Sequence, residues 1–334
     1  NTWRGVASVK DDFDLLKKLA INGCLSRYGG GNPAKSGQSS KAMTRTKKEL
    51  EVIHKLGFSS YFLITWDIIR YSNSRGFCHV GRGSGANSIV AYEIGITDVC
   101  PLELNLYFER FLNPSRTSPP DFDIDWSWQQ RDDILKYVFT RYDKNKVAFT
   151  GTIGTFKHRS ISQEIGKVFG LSQEERNELS RTPFHLLPEN SIAQNIAYFA
   201  QRLQGSPNLR SMHSCGVLIS EEPITKYMAL EMPPKGFPTA QIDMYITDKI
   251  NFEKIDLLSQ RGIGHINDAV ALVEKNKGEH VNIHQTAQFK LDQKCNSMLS
   301  KGNTLGCFYI ESPAMRGLLR RLKCDNYHTL VAAS

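Results

Sequence analysis

The chain has 334 residues, of which 40% are hydrophobic and 23% charged, a balance typical of a globular protein with room for about two or three domains. Lys and Arg outnumber Asp and Glu by 42 to 34, and the resulting net charge of +8 favours a polyanionic partner. No apolar run approaches the length of a membrane span and no signal peptide is visible, which argues against a membrane protein.

The 7 cysteines form no Cys-x-x-Cys pair and show no zinc spacing. An odd, scattered set is typical of reduced intracellular thiols, so we expect a cytoplasmic protein. The chain begins at Asn1 and ends at Ser334 without an obvious closing element, so we expect a piece of a longer protein.

The first hundred residues alternate apolar periodicity with loop signals. Residues 11–28 predict a helix, Gly29 to Ser40 a flexible Gly/Ser/Pro-rich loop, and residues 41–56 a second helix with a basic start. The apolar run Tyr61 to Ile69 predicts a buried helix or strand, between which periodicity does not decide.

A glycine-rich stretch, Val80 to Asn87, has the pattern of a short strand, a turn and a helix. Glycine lets a backbone approach closely and free N–H groups at a helix start favour anions, so the stretch suits phosphate binding. It is not a Walker A loop, because Arg82-Gly83 replaces Lys-Ser/Thr. Many such stretches are only turns.

The stretch Pro120 to Asp125 alternates acids with apolar residues. In a strand, successive side chains point to opposite faces, so the acids would share one face and the apolar residues the other. Neighbouring carboxylates repel and are costly to desolvate unless cations neutralise them. Hard divalent ions are their natural partners, Mg²⁺ with phosphate substrates above all. The residues concerned are Asp121, Asp123 and Asp125 on one face and Phe122, Ile124 and Trp126 on the other.

The acidic stretch has two other interpretations. An EF-hand loop needs Gly at its sixth position and Glu at its twelfth, where this chain has Trp126 and Asp132. A solvated acidic turn after Ser118-Pro119-Pro120 stays open.

The second half predicts helices over 131–142 and along 157–203, and strands at 211–220, Gln241 to Asp243 and Lys254 to Leu258. The last strand would place Lys254 and Asp256 on one face. A basic helix is predicted in the tail beyond about residue 281.

Several stretches occur in one order across roughly residues 45–330, and together they form a recognisable pattern. They are Tyr61-Phe62-Leu63-Ile64 with Trp66-Asp67, Gly81-Arg82-Gly83-Ser84-Gly85-Ala86, Phe108-Glu109-Arg110-Phe111-Leu112-Asn113-Pro114, Pro120-Asp121-Phe122-Asp123-Ile124-Asp125, His213 with Gly216-Val217, Lys254-Ile255-Asp256, and Glu311-Ser312 with Met315-Arg316. This pattern resembles the bacterial DNA polymerase III alpha subunit, the C-family replicative polymerase.

The resemblance implies an α/β (α+β) fold: a polymerase beta-like nucleotidyltransferase palm with a mixed sheet, a helical thumb and the start of a helical fingers domain. The implied layout is palm at 1–152, thumb at 153–211, palm again at 212–280 and fingers from 281 to 334. It also implies that this segment lacks the family's N-terminal histidinol-phosphatase-like domain and most of the fingers.

The resemblance implies a nucleotidyltransferase site that works with two Mg²⁺ ions. Its catalytic and metal-binding acids carry over to Asp121, Asp123 and Asp256, whereas Asp125 shares their face without being implied as catalytic. Residues expected around the nucleotide triphosphate are Arg82, Gly83, Ser84, Arg110, Arg116 and Lys254.

The implied activity is DNA-directed DNA polymerase, with deoxynucleoside triphosphates and primer–template DNA as substrates. Lys157, Arg159 and Lys167 of the thumb are candidates for DNA contacts, with a solvated charged face as the equal alternative. In a full-length parent the resemblance implies a sliding clamp and other replisome subunits as partners.

Two rival functions remain. A metal-dependent phosphodiesterase or nuclease also needs clustered acids, but such sites often add histidines, and His280 and His284 are interpreted as surface residues. A non-catalytic DNA-binding fragment would bind DNA in a salt-sensitive manner without turnover.

Overall fold

The computed structural model describes residues 8–29, 36–115, 120–186, 191–250, 252–284 and 286–333. The fold is mixed α/β, and the chain divides into two compact units: Asn1–Tyr142 with Glu253–Ser334, and Asp143–Phe252. Within the described ranges, no helix combines the length and the apolarity that crossing a bilayer requires.

The first unit starts with three long helices. Its elements up to residue 142 are α1 Val9–Tyr28, α2 Ser36–Lys55, α3 Ser59–Ser74, β1 His79–Arg82, α4 Ile89–Glu93, β2 Phe122–Ser127 and α5 Arg131–Arg141. The stretch that begins at Tyr61 is therefore helical. Helix α2 begins at Ser36, so the predicted Gly29 to Ser40 loop is wrong for its last residues, while residues 30–35 lie outside the description.

The second unit combines strands and helices. Its elements are β3 Val147–Thr155, α6 His158–Val168, α7 Gln173–Leu179, α8 Ser191–Leu203, β4 Pro207–Ile219, β5 Leu230–Glu231, β6 Thr239–Ala240 and α9 Met244–Lys249. The predicted strand from Gln241 to Asp243 is wrong. Asp243 is instead the N-cap of α9, because its side chain accepts a hydrogen bond from the Ile246 N–H.

The last part of the chain belongs to the first unit again. Its elements are β7 Lys254–Gln260, α10 Arg261–Lys277, α11 Thr286–Lys290, α12 Gln293–Ser300, α13 Pro313–Leu322 and α14 Tyr327–Ala333.

Strand β2 lies between β1 and β7 in the first unit. It pairs antiparallel with β1 and parallel with β7, so this part of the sheet is mixed. The parallel register sets Phe122 opposite Ile255 and Asp123 opposite Asp256. Partner residues in a ladder point to the same face, so the two aspartates are neighbours on one side of the sheet.

The apolar face of β2 packs against α3. Phe122, Ile124 and Trp126 are all at most 2% exposed. The Phe122 ring stacks on Tyr61 at 5.4 Å between centroids and meets the edge of Phe62 at 5.1 Å. This packing fixes which face of β2 is buried against the helix and leaves the aspartates on the other face.

The second unit has its own strand pairs and its own helical core. Strand β3 pairs antiparallel with β4 and parallel with β6, and β5 pairs antiparallel with β6. The helices α6, α7 and α8 bury a separate apolar cluster of Ile161, Ile165, Leu179, Ile196 and Ala200.

Candidate metal centre

Three aspartates of the first unit converge at one end of the β2–β7 pair. Asp121 directly precedes β2, Asp123 lies on β2, and Asp256 lies opposite it on β7. One carboxylate oxygen from each lies within 4.8 Å of the others, close enough for all three to hold a metal ion. The convergence follows from the side-chain alternation of β2 and from the register with β7.

The ammonium group of Lys254 lies among these acids. Its Nζ donates to Oδ2 of Asp256 at 2.6 Å and to Oδ2 of Asp121 at 3.1 Å. Lys254 and Asp256 share a face because they are two residues apart on β7. When the three carboxylates are ionised, one ammonium leaves two negative charges uncompensated, a deficit that divalent cations would neutralise.

Arg82, at the end of β1, pairs with two carboxylates of the neighbouring strand β2. Its Nε donates to Oδ2 of Asp125 at 2.8 Å, and a terminal nitrogen lies 3.4 Å from Oδ2 of Asp123. Asp125 is only 3% exposed and therefore requires such a partner. Arg82 is thus the counter-ion of Asp125 and also pairs with Asp123 in the same row of acids.

Burial dominates the electrostatics of the acids. Desolvation, reinforced by the neighbouring Asp256, raises the pKa of Asp121 to about 6. Desolvation also raises the pKa of Asp123 above its ordinary value, although Arg82 opposes the shift. Burial by itself would lower the pKa of Lys254, but the hydrogen bond to Asp256 and the charge of Asp121 outweigh it, so that pKa is raised. The site therefore favours positive charge.

The chemistry of the donor set fits a hard divalent cation. The second carboxylate oxygens of Asp121 and Asp256, their Oδ1 atoms, are buried and have no hydrogen-bond partner in the described part of the chain. Buried acceptors without partners are costly, and coordination to a cation would remove that cost. Oxygen-only ligands are typical of Mg²⁺, Mn²⁺ and Ca²⁺ sites.

The glycine-rich turn lies against the acids. Gly83 has a φ of +72°, and a Cβ at this residue would come 2.6 Å from Oδ2 of Asp123. Any side chain would thus be strained and would collide with the carboxylate. A phosphate held on this backbone would consequently lie near Asp123.

The predicted free N–H groups of the following helix are occupied, which corrects the expectation from sequence. Residues Gly83–Asn87 form a 3₁₀ turn, and α4 is a single short helix after it. Oε2 of Glu49 accepts hydrogen bonds from the N–H groups of Ile89 and Val90 and from the hydroxyl of Ser88. The protein's own carboxylate therefore occupies the anion site at this helix start.

Tyr61 is a residue whose part in this arrangement the sequence did not reveal. Its hydroxyl accepts a hydrogen bond from the Phe122 N–H at 2.9 Å and donates one to the Lys254 carbonyl at 3.0 Å. Burial and the charge of Asp121 hold the pKa of this hydroxyl well above its ordinary value, so it is protonated. The available signal was a tyrosine inside an apolar run, since a buried hydroxyl must find partners.

The remaining residues predicted to bind nucleotide are Ser84, Arg110 and Arg116. Ser84 lies in the 3₁₀ turn, and its carbonyl accepts a hydrogen bond from the Asn87 side chain. Arg110 is exposed at the end of the 3₁₀ turn Phe108–Arg110, and its side chain bonds none of the three acids among the described residues. Arg116 lies outside the described residues.

The predicted DNA-contacting cations belong to the second unit. Lys157 and Arg159 are exposed at the start of α6. Lys167, near its end, forms a 2.8 Å ion pair with Glu164. Such a pair within one helix is typical of a solvated charged face, so for Lys167 that alternative gains support.

His280 and His284 are exposed, as expected for surface residues. Nδ1 of His284 lies 3.0 Å from a carboxylate oxygen of Asp98, and Nδ1 of His280 lies 3.7 Å from Glu274. Neither belongs to the group of Asp121, Asp123 and Asp256.

Comparisons with known proteins cover almost the whole chain. The family model of the bacterial DNA polymerase III alpha NTPase domain matches residues 14–259, and that of the bacterial DNA polymerase III alpha subunit finger domain matches residues 263–334.

Curated relatives carry matching names. DNA polymerase III subunit alpha of Bacillus subtilis is 35% identical over 340 residues, covering 96% of this chain and 30% of the relative. Error-prone DNA polymerase of Symbiobacterium thermophilum is 32% identical over 337 residues, covering 95% of this chain and 30% of the relative. DNA polymerase III subunit alpha of Thermus aquaticus is 33% identical over 309 residues, covering 86% of this chain and 25% of the relative. The chain thus spans less than a third of the length of these relatives.

Proposed function

The chain belongs to the family of the bacterial DNA polymerase III alpha subunit, and on that premise we propose that it supplies the catalytic core for template-directed addition of deoxynucleotides to a primer 3′ end. The observation that carries the proposal is the convergence of Asp121, Asp123 and Asp256 beside the Gly83 turn. Nucleotidyl transfer requires such a cluster next to a place for the triphosphate.

In this proposal Asp121, Asp123 and Asp256 hold Mg²⁺ through their carboxylate oxygens. When bound, the divalent ions stabilise charge on the attacking and leaving oxygens of the in-line displacement and favour ionisation of the primer hydroxyl. The contribution of the chain is a rigid frame, because β2 and β7 fix two of the three aspartates in one ladder. Their partial burial strengthens every charge interaction at the site.

The groups around the triphosphate act by position and charge. The Gly83-Ser84 backbone can approach the phosphates because residue 83 carries no side chain. Arg82 forms ion pairs with Asp123 and Asp125, and Lys254 forms them with Asp121 and Asp256. In this proposal both cations would bind phosphate oxygens once other cations neutralise those acids. Arg110 and Arg116 complete the proposed set.

The proposal extends to domain layout and partners. Residues 1–152 and 212–280 would form the palm, 153–211 the thumb and 281–334 the start of the fingers. Lys157, Arg159 and Lys167 would contact the phosphates of primer–template DNA, since a polymerase must accept any sequence. The full-length parent would act in the cytoplasm with a sliding clamp and other replisome subunits.

Primer extension by the full-length parent tests this function. We expect Asp123→Asn to reduce deoxynucleotide incorporation by about a thousandfold or more and to leave duplex binding within about twofold, because the acid acts on the reacting phosphate and not on the duplex. Asp132→Asn is the matched control, since Asp132 is an exposed acid on α5.

Two outcomes would contradict the proposal. One is normal extension by the Asp123→Asn parent. The other is shortening of the primer by the wild-type protein without any extension, which is the result that a phosphodiesterase or nuclease would give.

A further inference from the structure

The hydroxyl of Tyr61 joins the two strands that carry the acids. Tyr61 lies on α3 and is 1% exposed, with its ring stacked on Phe122 of β2. The hydroxyl accepts from the Phe122 N–H and donates to the Lys254 carbonyl. One buried side-chain atom therefore holds the start of β2 and the start of β7 together.

The two backbone groups that it bridges belong to adjacent, paired strands. Phe122 is paired with Ile255, and Lys254 directly precedes Ile255 on β7. The hydroxyl thus lies at the first rung of the β2–β7 ladder. Both hydrogen bonds contribute to the separation of the strands at this rung.

This rung is the one that positions the acids. Phe122 lies between Asp121 and Asp123 in the chain, and Lys254 is two residues before Asp256. The same Lys254 binds Asp121 and Asp256 through its Nζ. A change in strand separation at the rung would therefore move the carboxylates relative to one another.

A phenylalanine at this position would keep the packing and lose the bridge. The ring would still stack on Phe122, but the Phe122 N–H and the Lys254 carbonyl would lose a buried partner. The strands could then close or separate at the first rung. Either movement changes the spacing of the metal ligands.

We propose that Tyr61 is a positioning residue that sets the distance between Asp121 and Asp256 through its hydroxyl and so tunes the affinity of the acid cluster for divalent cations. This inference rests on the proposed metal centre and deepens it. Groups that orient metal ligands from outside the coordination shell commonly change metal affinity by about 10–100-fold when they are removed.

The test is titration of the chain with Mn²⁺, followed by electron paramagnetic resonance without DNA or nucleotide. The Mn²⁺ binding to be compared is the component that is present in the wild type and absent in Asp256→Asn. We expect Tyr61→Phe to weaken that binding by about tenfold or more. Tyr142→Phe is the matched control, because it removes a hydroxyl of the same unit that donates to Asp67 rather than to the strands, and we expect it to change the affinity by less than about twofold.

Melting temperatures of both variants separate positioning from stability. A purely structural role would make the two variants lose stability without a selective loss of Mn²⁺ affinity, and that result would overturn the inference. Unchanged Mn²⁺ affinity in Tyr61→Phe would overturn it as well. If Asp256→Asn leaves wild-type Mn²⁺ binding intact, the metal centre itself fails, and this inference fails with it.

A second measurement covers the case in which Tyr61→Phe does not fold. 3-Fluorotyrosine at position 61 keeps the hydroxyl, and its ¹⁹F resonance reports the environment of the bridge. We expect it to shift during a Mg²⁺ titration with the midpoint of metal binding, whereas 3-fluorotyrosine at position 142 stays unchanged. A position-61 resonance that is unmoved at saturating Mg²⁺ would contradict the proposal.

Discussion

Lys254 lies among the acids at the place where a metal ion would bind. Its ammonium group lies 2.6 Å from an oxygen of Asp256 and 3.1 Å from one of Asp121, and its side chain is only 12% exposed. The lysine therefore compensates charge at the place where a metal ion would bind. A cation that enters must compete with it for the same carboxylate oxygens.

We expect Lys254→Met to raise the affinity of the chain for Mn²⁺ by about threefold or more in the absence of nucleotide, because the competing charge is gone. The same change in the full-length parent should reduce incorporation, since a proposed phosphate ligand is lost. Isothermal titration and primer extension measure the two effects. Lys275→Met, an exposed lysine of α10, is the control, and weaker Mn²⁺ binding by Lys254→Met would contradict this account.

Asp121 gives a prediction about stability and pH. Its pKa is raised to about 6 in the folded chain, so the folded state holds the proton more tightly than the unfolded state does. Ionisation therefore lowers the stability of the fold, and the loss develops as pH rises from about 4 to about 6. Above this window the ionised carboxylate destabilises the fold in the absence of metal.

We expect Asp121→Asn to raise the melting temperature at about pH 8 without divalent ions and to have little effect at about pH 4. The rise should be small, about 2–4 °C, because the Asp121 side chain is 42% exposed and solvent screens part of the repulsion. Differential scanning calorimetry at both pH values tests this. An equal shift at both pH values would count against this prediction. So would a melting temperature of Asp121→Asn below that of the wild type at about pH 8.

Alternation and register explain what the sequence could predict of the elements, and contacts across the chain explain what it could not. The period of two in Asp121 to Trp126 predicted both faces of β2, and the same rule placed Lys254 beside Asp256. The bridge made by Tyr61 depends on α3 packing under both strands. Local pattern contains no information about such a contact.

The region before the site shows the same limit. The glycine-rich pattern predicted a turn correctly, but the capping of α4 by Glu49 comes from a helix about forty residues earlier in the chain. The predicted strand from Gln241 to Asp243 is wrong because the Asp243 side chain caps α9.

The role of Glu49 in joining α2 to α4 can be tested directly. Its carboxylate is buried, pairs with Arg45 at 2.8 Å and accepts the N–H groups of Ile89 and Val90. We expect Glu49→Ala to lower the free energy of unfolding by about 3 kcal/mol, because several buried donors lose their acceptor. Urea unfolding measures the loss. Glu51→Ala, an exposed acid of the same helix, should stay within about 0.5 kcal/mol, and an equal effect of both changes would refute the assignment.

At the scale of the whole molecule, the positive charge is the feature that suits a nucleic-acid substrate. The chain carries a net charge of +8. Nonspecific binding to DNA releases counterions in proportion to the phosphates that are neutralised, so affinity should fall steeply as salt increases. Exposed cations that are not committed to ion pairs are the ones expected to contribute.

Arg159 of α6 and Lys226 of the second unit offer a matched comparison. Arg159 is exposed, whereas Lys226 is paired with Glu222 at 2.8 Å. We expect Arg159→Gln to reduce the slope of log affinity against log salt by about 1 for duplex DNA, and Lys226→Gln to leave the slope unchanged. Fluorescence anisotropy over a range of salt concentrations gives both slopes. Identical slopes for wild type and Arg159→Gln would show that Arg159 does not contact a DNA phosphate.

The metal centre is tested most directly by an anomalous difference map from crystals of the chain soaked in Mn²⁺. We expect density bounded by the carboxylates of Asp121, Asp123 and Asp256, and we expect it to disappear in crystals of Asp256→Asn. Crystals saturated with Mn²⁺ that show no density there, or density that survives the substitution, would contradict it.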